Sequence, residues 1–148
     1  MYSTEVRKLR IELFEAILES LNLDETHVKE KFKQGFQIIG INCYPPCLGS
    51  DNVPLLKGFL QVLIGDHMEV ISNGLYKSVS HRATPSGHDT RLSIASLQSQ
   101  PMDEIVELIA KLKNEENPKK YRGSSLRDFL KHHASRDTRA FIETLKVD

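Results

Sequence analysis

Residues 75–96 read LYKSVSHRATPSGHDTRLSIAS and concentrate the side chains best suited to chemistry. A histidine such as His81 can ligate a metal through its neutral imidazole. Arg91, followed two places on by Ser93, can hold an anion. Side chains alternate faces along a strand, so Arg91 and Ser93 point the same way, as do Asn42 and Tyr44 in the stretch NCYPPC. A guanidinium beside a hydroxyl suits the terminal carboxylate of a small acid, gripped as a two-pronged charged pair. The same spacing also fits an arginine in a structural ion pair next to a strand-edge serine, and His81 alone also fits an ordinary core or surface histidine. One histidine does not make a working metal site, so the whereabouts of further ligands decides between these readings.

The elements that must carry these residues can be read from periodicity. Val6, Leu9, Leu13, Ile17 and Leu21 recur at spacings of three and four and predict one long helix, with Ser3 as its cap. NLDETHVKEKF predicts a short second helix capped by Asp24. From Gly35 the texture is that of strands: GFQIIGINCY up to Pro45-Pro46, GFLQVLIGD into a Gly65-Asp66 turn, MEVISNG and LYKSVSHRA joined by an Asn73-Gly74 hairpin, and TRLSIASLQ. Past Pro101, Ile105, Leu108, Ile109 and Leu112 predict a helix, and Ser125 with Asp128 predicts a capping box opening SLRDFLKHH. His132 and His133 are adjacent and diverge on a helix, which suits surface positions better than a shared ion. The expected organisation is α+β in a single domain over 1–148. Leading helices fill 1–34, an antiparallel sheet tending toward a sandwich or barrel fills 35–100, and a helical tail fills 101–148.

Composition removes several classes of function. The chain has 148 residues, enough for a real core, with 20 basic and 20 acidic side chains and a formal net charge of zero. No basic field is on offer to nucleic acid or an anionic membrane, and no apolar run reaches the length of a membrane span. MYSTEVRKLRIE has no apolar signal core, so an aqueous, cytoplasmic setting is the expectation. Two cysteines, Cys43 and Cys47, are too few for a structural zinc site and lack the C-x-x-C redox spacing; reduced and partly buried thiols are expected.

INCYPPC, GFLQVLIGDHMEVISNGLYKSVSHRA and RLSIA, in that order, resemble segments of the plant soluble dioxygenases dependent on Fe(II) and 2-oxoglutarate. These are the iron/ascorbate oxidoreductases, which include flavonoid, gibberellin and alkaloid oxidases. YSTEVRKL and LNLDETHVKEKF resemble the long helix that precedes their barrel. The resemblance runs from about residue 2 to about residue 98. It implies a double-stranded β-helix (jelly-roll) barrel flanked by helices, Fe(II) and 2-oxoglutarate as cofactors with ascorbate as reductant, and a small organic substrate of the specialised-metabolite or hormone kind. By the same resemblance His81 matches the distal iron-binding histidine. Arg91 and Ser93 match the pair that grips the distal carboxylate of 2-oxoglutarate, and Asn42 and Tyr44 match residues lining that pocket, with Cys43 in place of a tyrosine.

The family's other two iron ligands form an H-x-D pair between Y-P-P-C and the strand ending in Gly-Asp. Here only LGSDNVPLLK separates Cys47 from Gly58, and it contains no histidine. The expectation is a truncated member that lacks this segment and the family's N-terminal region, with an incomplete barrel and impaired or absent turnover. The alternative is a non-catalytic module that keeps the acid pocket. His67-Met68-Glu69 offers H-x-E spacing that would share one strand face and could rebuild a facial triad with His81; Asp51 and Asp66 are further carboxylates without a spacing that aims them at His81. A barrel missing strands would expose sheet edges, which favours pairing.

Overall fold

The computed structural model describes residues 1–24, 26–47 and 58–147. Helix α1 spans Tyr2–Ser20 and α2 spans Thr26–Lys33. The apolar stripe of α1 is centred one residue away from the expected one. Arg10, Phe14 and Leu18 are buried, while Val6, Leu9, Leu13, Ile17 and Leu21 flank them half-buried. Ser3 lies inside the first turn and Met1 occupies the N-cap position without a side-chain cap. Phe14 stacks on Phe32 of α2 with ring centroids 4.0 Å apart, and the Arg10 guanidinium sits 4.5 Å above the same Phe32 ring.

Strand β1 (Gln37–Tyr44) pairs antiparallel with β2 (Arg91–Gln98), the only strands among the described residues. β-Branched residues and Pro45-Pro46 set the extent of β1, since proline cannot continue the ladder. The ribbon's open end is closed by Gly35, where an added Cβ would lie 1.8 Å from the Ser99 carbonyl oxygen. Only glycine allows the two chains to approach that closely.

Three expected strands are not formed. Described residues 59–65 and 75–86 carry neither helix nor strand, and the segment read as MEVISNG is largely helical, as α3 (Asp66–Ile71). Asn73-Gly74 is correspondingly not a hairpin. Both residues have positive φ, 52° and 80°, and they close α3: the Asn73 N–H donates to the Val70 carbonyl at 3.0 Å and the Gly74 N–H to the Glu69 carbonyl at 2.8 Å. That is a Schellman ending, which uses the same left-handed residues as a hairpin turn. The helix forms because Ile71 and Val70 each have a core to enter. Ile71 joins Phe14, Leu18, Leu23, Val28, Val106 and Ile109, while Val70 joins Tyr121, Phe141, Ile142 and Leu145.

The tail differs from expectation in the same way. The stretch around Ile105–Leu112 is not an α-helix; only Ala110–Leu112 makes a 3-10 turn. Val106 and Ser124 instead exchange backbone hydrogen bonds of 2.8 and 3.2 Å. Helix α4 (Leu126–Ala134) opens with the expected capping box of Ser125 and Asp128, and α5 (Phe141–Leu145) follows.

Candidate functional site

The β1–β2 register places the four pocket residues opposite one another. Asn42 pairs with Ser93 and Tyr44 with Arg91, so all four share one face. The Asn42 Nδ2 donates to Ser93 Oγ at 3.5 Å, and the Arg91 guanidinium carbon lies 4.2 Å from the centre of the Tyr44 ring. Stacking fixes the plane of the guanidinium. Its Nε donates to the Thr84 carbonyl at 3.1 Å, and its two Nη groups are a matched pair of donors of the kind a carboxylate accepts from. All four side chains are half-buried, so an anion there would be partly desolvated without being sealed off. These residues fit one end of a small dicarboxylic acid.

His81 is exposed, and its Nδ1 donates to the Val79 carbonyl at 2.8 Å. A carbonyl can only accept, so Nδ1 bears a proton, and in the neutral imidazole Nε2 is the nitrogen left to ligate a metal. Among the described residues no three His, Cys, Asp or Glu side chains are grouped to hold a metal ion. The described donor set therefore does not fit an iron centre of two histidines and one carboxylate. Asp51 lies outside the described residues.

The rebuilt triad fails on geometry. His67 and Glu69 sit on helix α3, where residues two apart diverge by roughly 200°. Both side chains are committed elsewhere. His67 packs beside the Phe129–Phe141 ring pair, with ring centroids 6.4 and 6.2 Å away, and its Nδ1 is 3.5 Å from Ser99 Oγ. Burial keeps its pKa below the ordinary histidine value against the pull of Asp66 and Asp128. Glu69 is 4% exposed and accepts from the Tyr121 hydroxyl, the Ser78 N–H at 2.7 Å and Lys77 Nζ at 3.0 Å. Cys43 and Cys47 are both exposed rather than partly buried. Sequence reasoning overlooked the Glu69–Tyr121–Lys77 group, because its members lie up to 52 positions apart and no spacing links them.

Residues 30–100 match the family model described as the 2OG-Fe(II) oxygenase superfamily. Flavanone 3-dioxygenase 3 of Oryza sativa subsp. japonica is 35% identical across 99% of this chain and 56% of its own length. The chain belongs to the 2OG-Fe(II) oxygenase superfamily. The chloroplastic 2-oxoglutarate-dependent dioxygenase 21 of the same plant is 33% identical over the same shares. The crystal structure of JOX2 in complex with 2OG, Fe and JA superposes with a TM-score of 0.81 over 99% of this oxygenase-family chain and 55% of JOX2, at 20% identity. That likeness gives the fold: α+β, with the β1–β2 ribbon as part of an incomplete jelly-roll barrel. This superfamily member spans about half the length of the curated relatives it matches. The two plant alignments run over 184 and 185 positions against 148 residues, so each relative carries at least about three dozen residues with no counterpart here.

Proposed function

We propose that this chain binds 2-oxoglutarate through Arg91, Ser93, Asn42 and Tyr44, and that its oxygenase turnover is impaired or lost. The observation that carries the reading is the cross-strand cluster, with Arg91 stacked on Tyr44 and Asn42 bonded to Ser93 on one half-buried face. The Nη pair takes the distal carboxylate, and the Ser93 hydroxyl donates a further hydrogen bond to it. In this reading the residues missing relative to the rice dioxygenases fall between Cys47 and Gly58, the connection with no histidine. His81 is then the one remaining iron ligand and holds Fe(II) weakly.

In this reading the range 1–148 works as one domain. The substrate side takes a small organic molecule of the plant specialised-metabolite or hormone kind, with ascorbate as reductant where turnover survives, in a cytoplasmic setting. Neither nucleic acid nor membrane is a partner: the net charge is zero, and among the described residues no helix is long and apolar enough to cross a bilayer. Pairing at the open edges of the two-stranded ribbon belongs to the same reading, since such edges present unpaired N–H and C=O groups.

Calorimetric titration with 2-oxoglutarate in the absence of metal tests the binding half. A charge-assisted contact contributes about 1.5–3 kcal/mol, so Arg91→Ala weakens binding by roughly ten- to a hundred-fold. Arg91→Lys also weakens it, because an ammonium cannot make the two-pronged contact. Equal binding by wild type and Arg91→Ala refutes the pocket. Succinate release tests the other half. Binding without succinate matches an impaired enzyme or a non-catalytic acid-binding module, while succinate release that disappears in His81→Ala refutes impaired turnover.

A further inference from the structure

We infer that two copies of this chain associate through the face of the β1–β2 ribbon opposite the Arg91 cluster, which goes beyond edge pairing by assigning a surface. Ile39, Ile41 and Cys43 of β1 and Leu92 and Ile94 of β2 project from that face, with Ile41 opposite Ile94 and Cys43 opposite Leu92. Ile41 is 75% exposed, Leu92 69% and Ile94 51%. Single exposed apolar residues are ordinary on a soluble protein, whereas a contiguous cross-strand set marks an interaction surface.

The choice of a second copy follows from charge. In a two-fold interface each patch meets itself, so any charge close to the axis faces its own sign. No acidic or basic side chain lies on this face: beyond Cys43 and the apolar set it carries only Gln37, Ser96 and Gln98. The whole chain has zero net charge, so copies approach without long-range repulsion. A lipid surface is the poorer occupant, because interfacial binding of an apolar face is normally reinforced by lysine or arginine beside it and this face has neither. Two eight-residue strands make a face about 27 Å long and two strands wide, small against the roughly 800 Å² each partner buries in a standard interface. The pair is therefore reversible and concentration-dependent. The Arg91 cluster stays open in both copies because it lies on the other side of the ribbon.

Sedimentation equilibrium of the full chain over a wide concentration range tests this, with circular dichroism to confirm folding. A monomer–dimer equilibrium is expected, and Ile41→Lys and Ile94→Lys should each raise its dissociation constant at least tenfold. Phe59→Lys, which alters another apolar residue 74% exposed, should leave the constant unchanged. A chain that is monomeric throughout, an unaltered constant in both ribbon variants, or loss of the dimer in Phe59→Lys overturns the inference. Should the lysine variants misfold, Cys43 provides a second measurement. In a Cys47→Ser background a short bismaleimide should trap dimers through the exposed Cys43 thiol, and 2-oxoglutarate should not suppress the yield. Absence of a trapped dimer at concentrations where sedimentation shows association also overturns it.

Discussion

Glu69 shows how much a single carboxylate can organise. Burial alone would raise its pKa, but the Tyr121 hydroxyl, the Ser78 N–H and Lys77 outweigh that penalty and hold it below the ordinary glutamate range. The fold therefore binds a proton at Glu69 less readily than the unfolded chain does. The resulting stabilisation is fully present above the unfolded value of about 4.3 and is lost as pH falls through the lower folded value. Urea midpoints measured from pH 7 down to pH 3 should fall through that window in the wild type and fall less in Glu69→Gln. At pH 7, Glu69→Ala takes away the acceptor of the buried Tyr121 hydroxyl, leaving it only the Lys77 ammonium at 3.0 Å, and should cost about 1–3 kcal/mol. Arg10 is the opposite case: it is 7% exposed, and none of its guanidinium nitrogens has a hydrogen-bond partner. Its contact is the face of Phe32, with desolvation lowering its pKa and Arg7 adding to the effect.

At the scale of elements, α4 depends on its first turn. Ser125 Oγ accepts from the Asp128 N–H at 3.2 Å, and Asp128 Oδ2 accepts from the Ser125 N–H at 2.9 Å. Ser125→Ala removes the cap and should cost about 1 kcal/mol, visible in calorimetry as a melting temperature lower by roughly 2–4 °C. This cap was legible in sequence because both partners lie within one turn. Strands β1 and β2 were legible for a similar reason, since alternation and Pro45 mark them locally. Helix α3 was not. HMEVIS supports either period, and what decides is that Val70 and Ile71 enter two separate cores built from residues far along the chain. The stretch around Val106 was misread because its partner, Ser124, is a tertiary neighbour. The same division runs through the site. The types and spacing of Arg91 and Ser93 are local, so the proposed acid-binding pair could be picked out from them, although the same spacing fits a structural arginine equally. The pairing of Tyr44 with Arg91 is a matter of register between distant strands and appears only in the fold.

For the molecule as a whole, α3 is the hub. Met68 and Ile71 pack toward α1 and α2, while Val70 packs toward Tyr121 and α5. The tail is tied to the hub by polar contacts as well. Asn73 Nδ2 donates to the Pro118 carbonyl at 2.9 Å, and its Oδ1 accepts from the Lys120 N–H at 3.0 Å. Together with Glu69–Tyr121, these bonds fix residues 117–121 against the end of α3. The described residues therefore form two packed cores around one short helix, and both faces of the ribbon are at least partly accessible. Among the described residues the sheet is reduced to the β1–β2 ribbon, while the helical packing around α3 is intact.

The Asn73-Gly74 ending of α3 also bears on how the protein ages. An asparagine before glycine deamidates when the following backbone nitrogen attacks the side-chain carbonyl and closes a succinimide ring. Here that nitrogen is held by the Glu69 carbonyl, and both ends of the Asn73 amide are held by the 118–120 backbone. Ring closure requires all of these bonds to open, so the native protein should keep Asn73 intact while the urea-unfolded chain converts it readily. Peptide mapping by mass spectrometry after incubation at mildly alkaline pH, with and without urea, distinguishes the two; equal conversion would show that the tail is not docked. Measured over days, the amount of isoaspartate at this one position would record how often the tail leaves the helix.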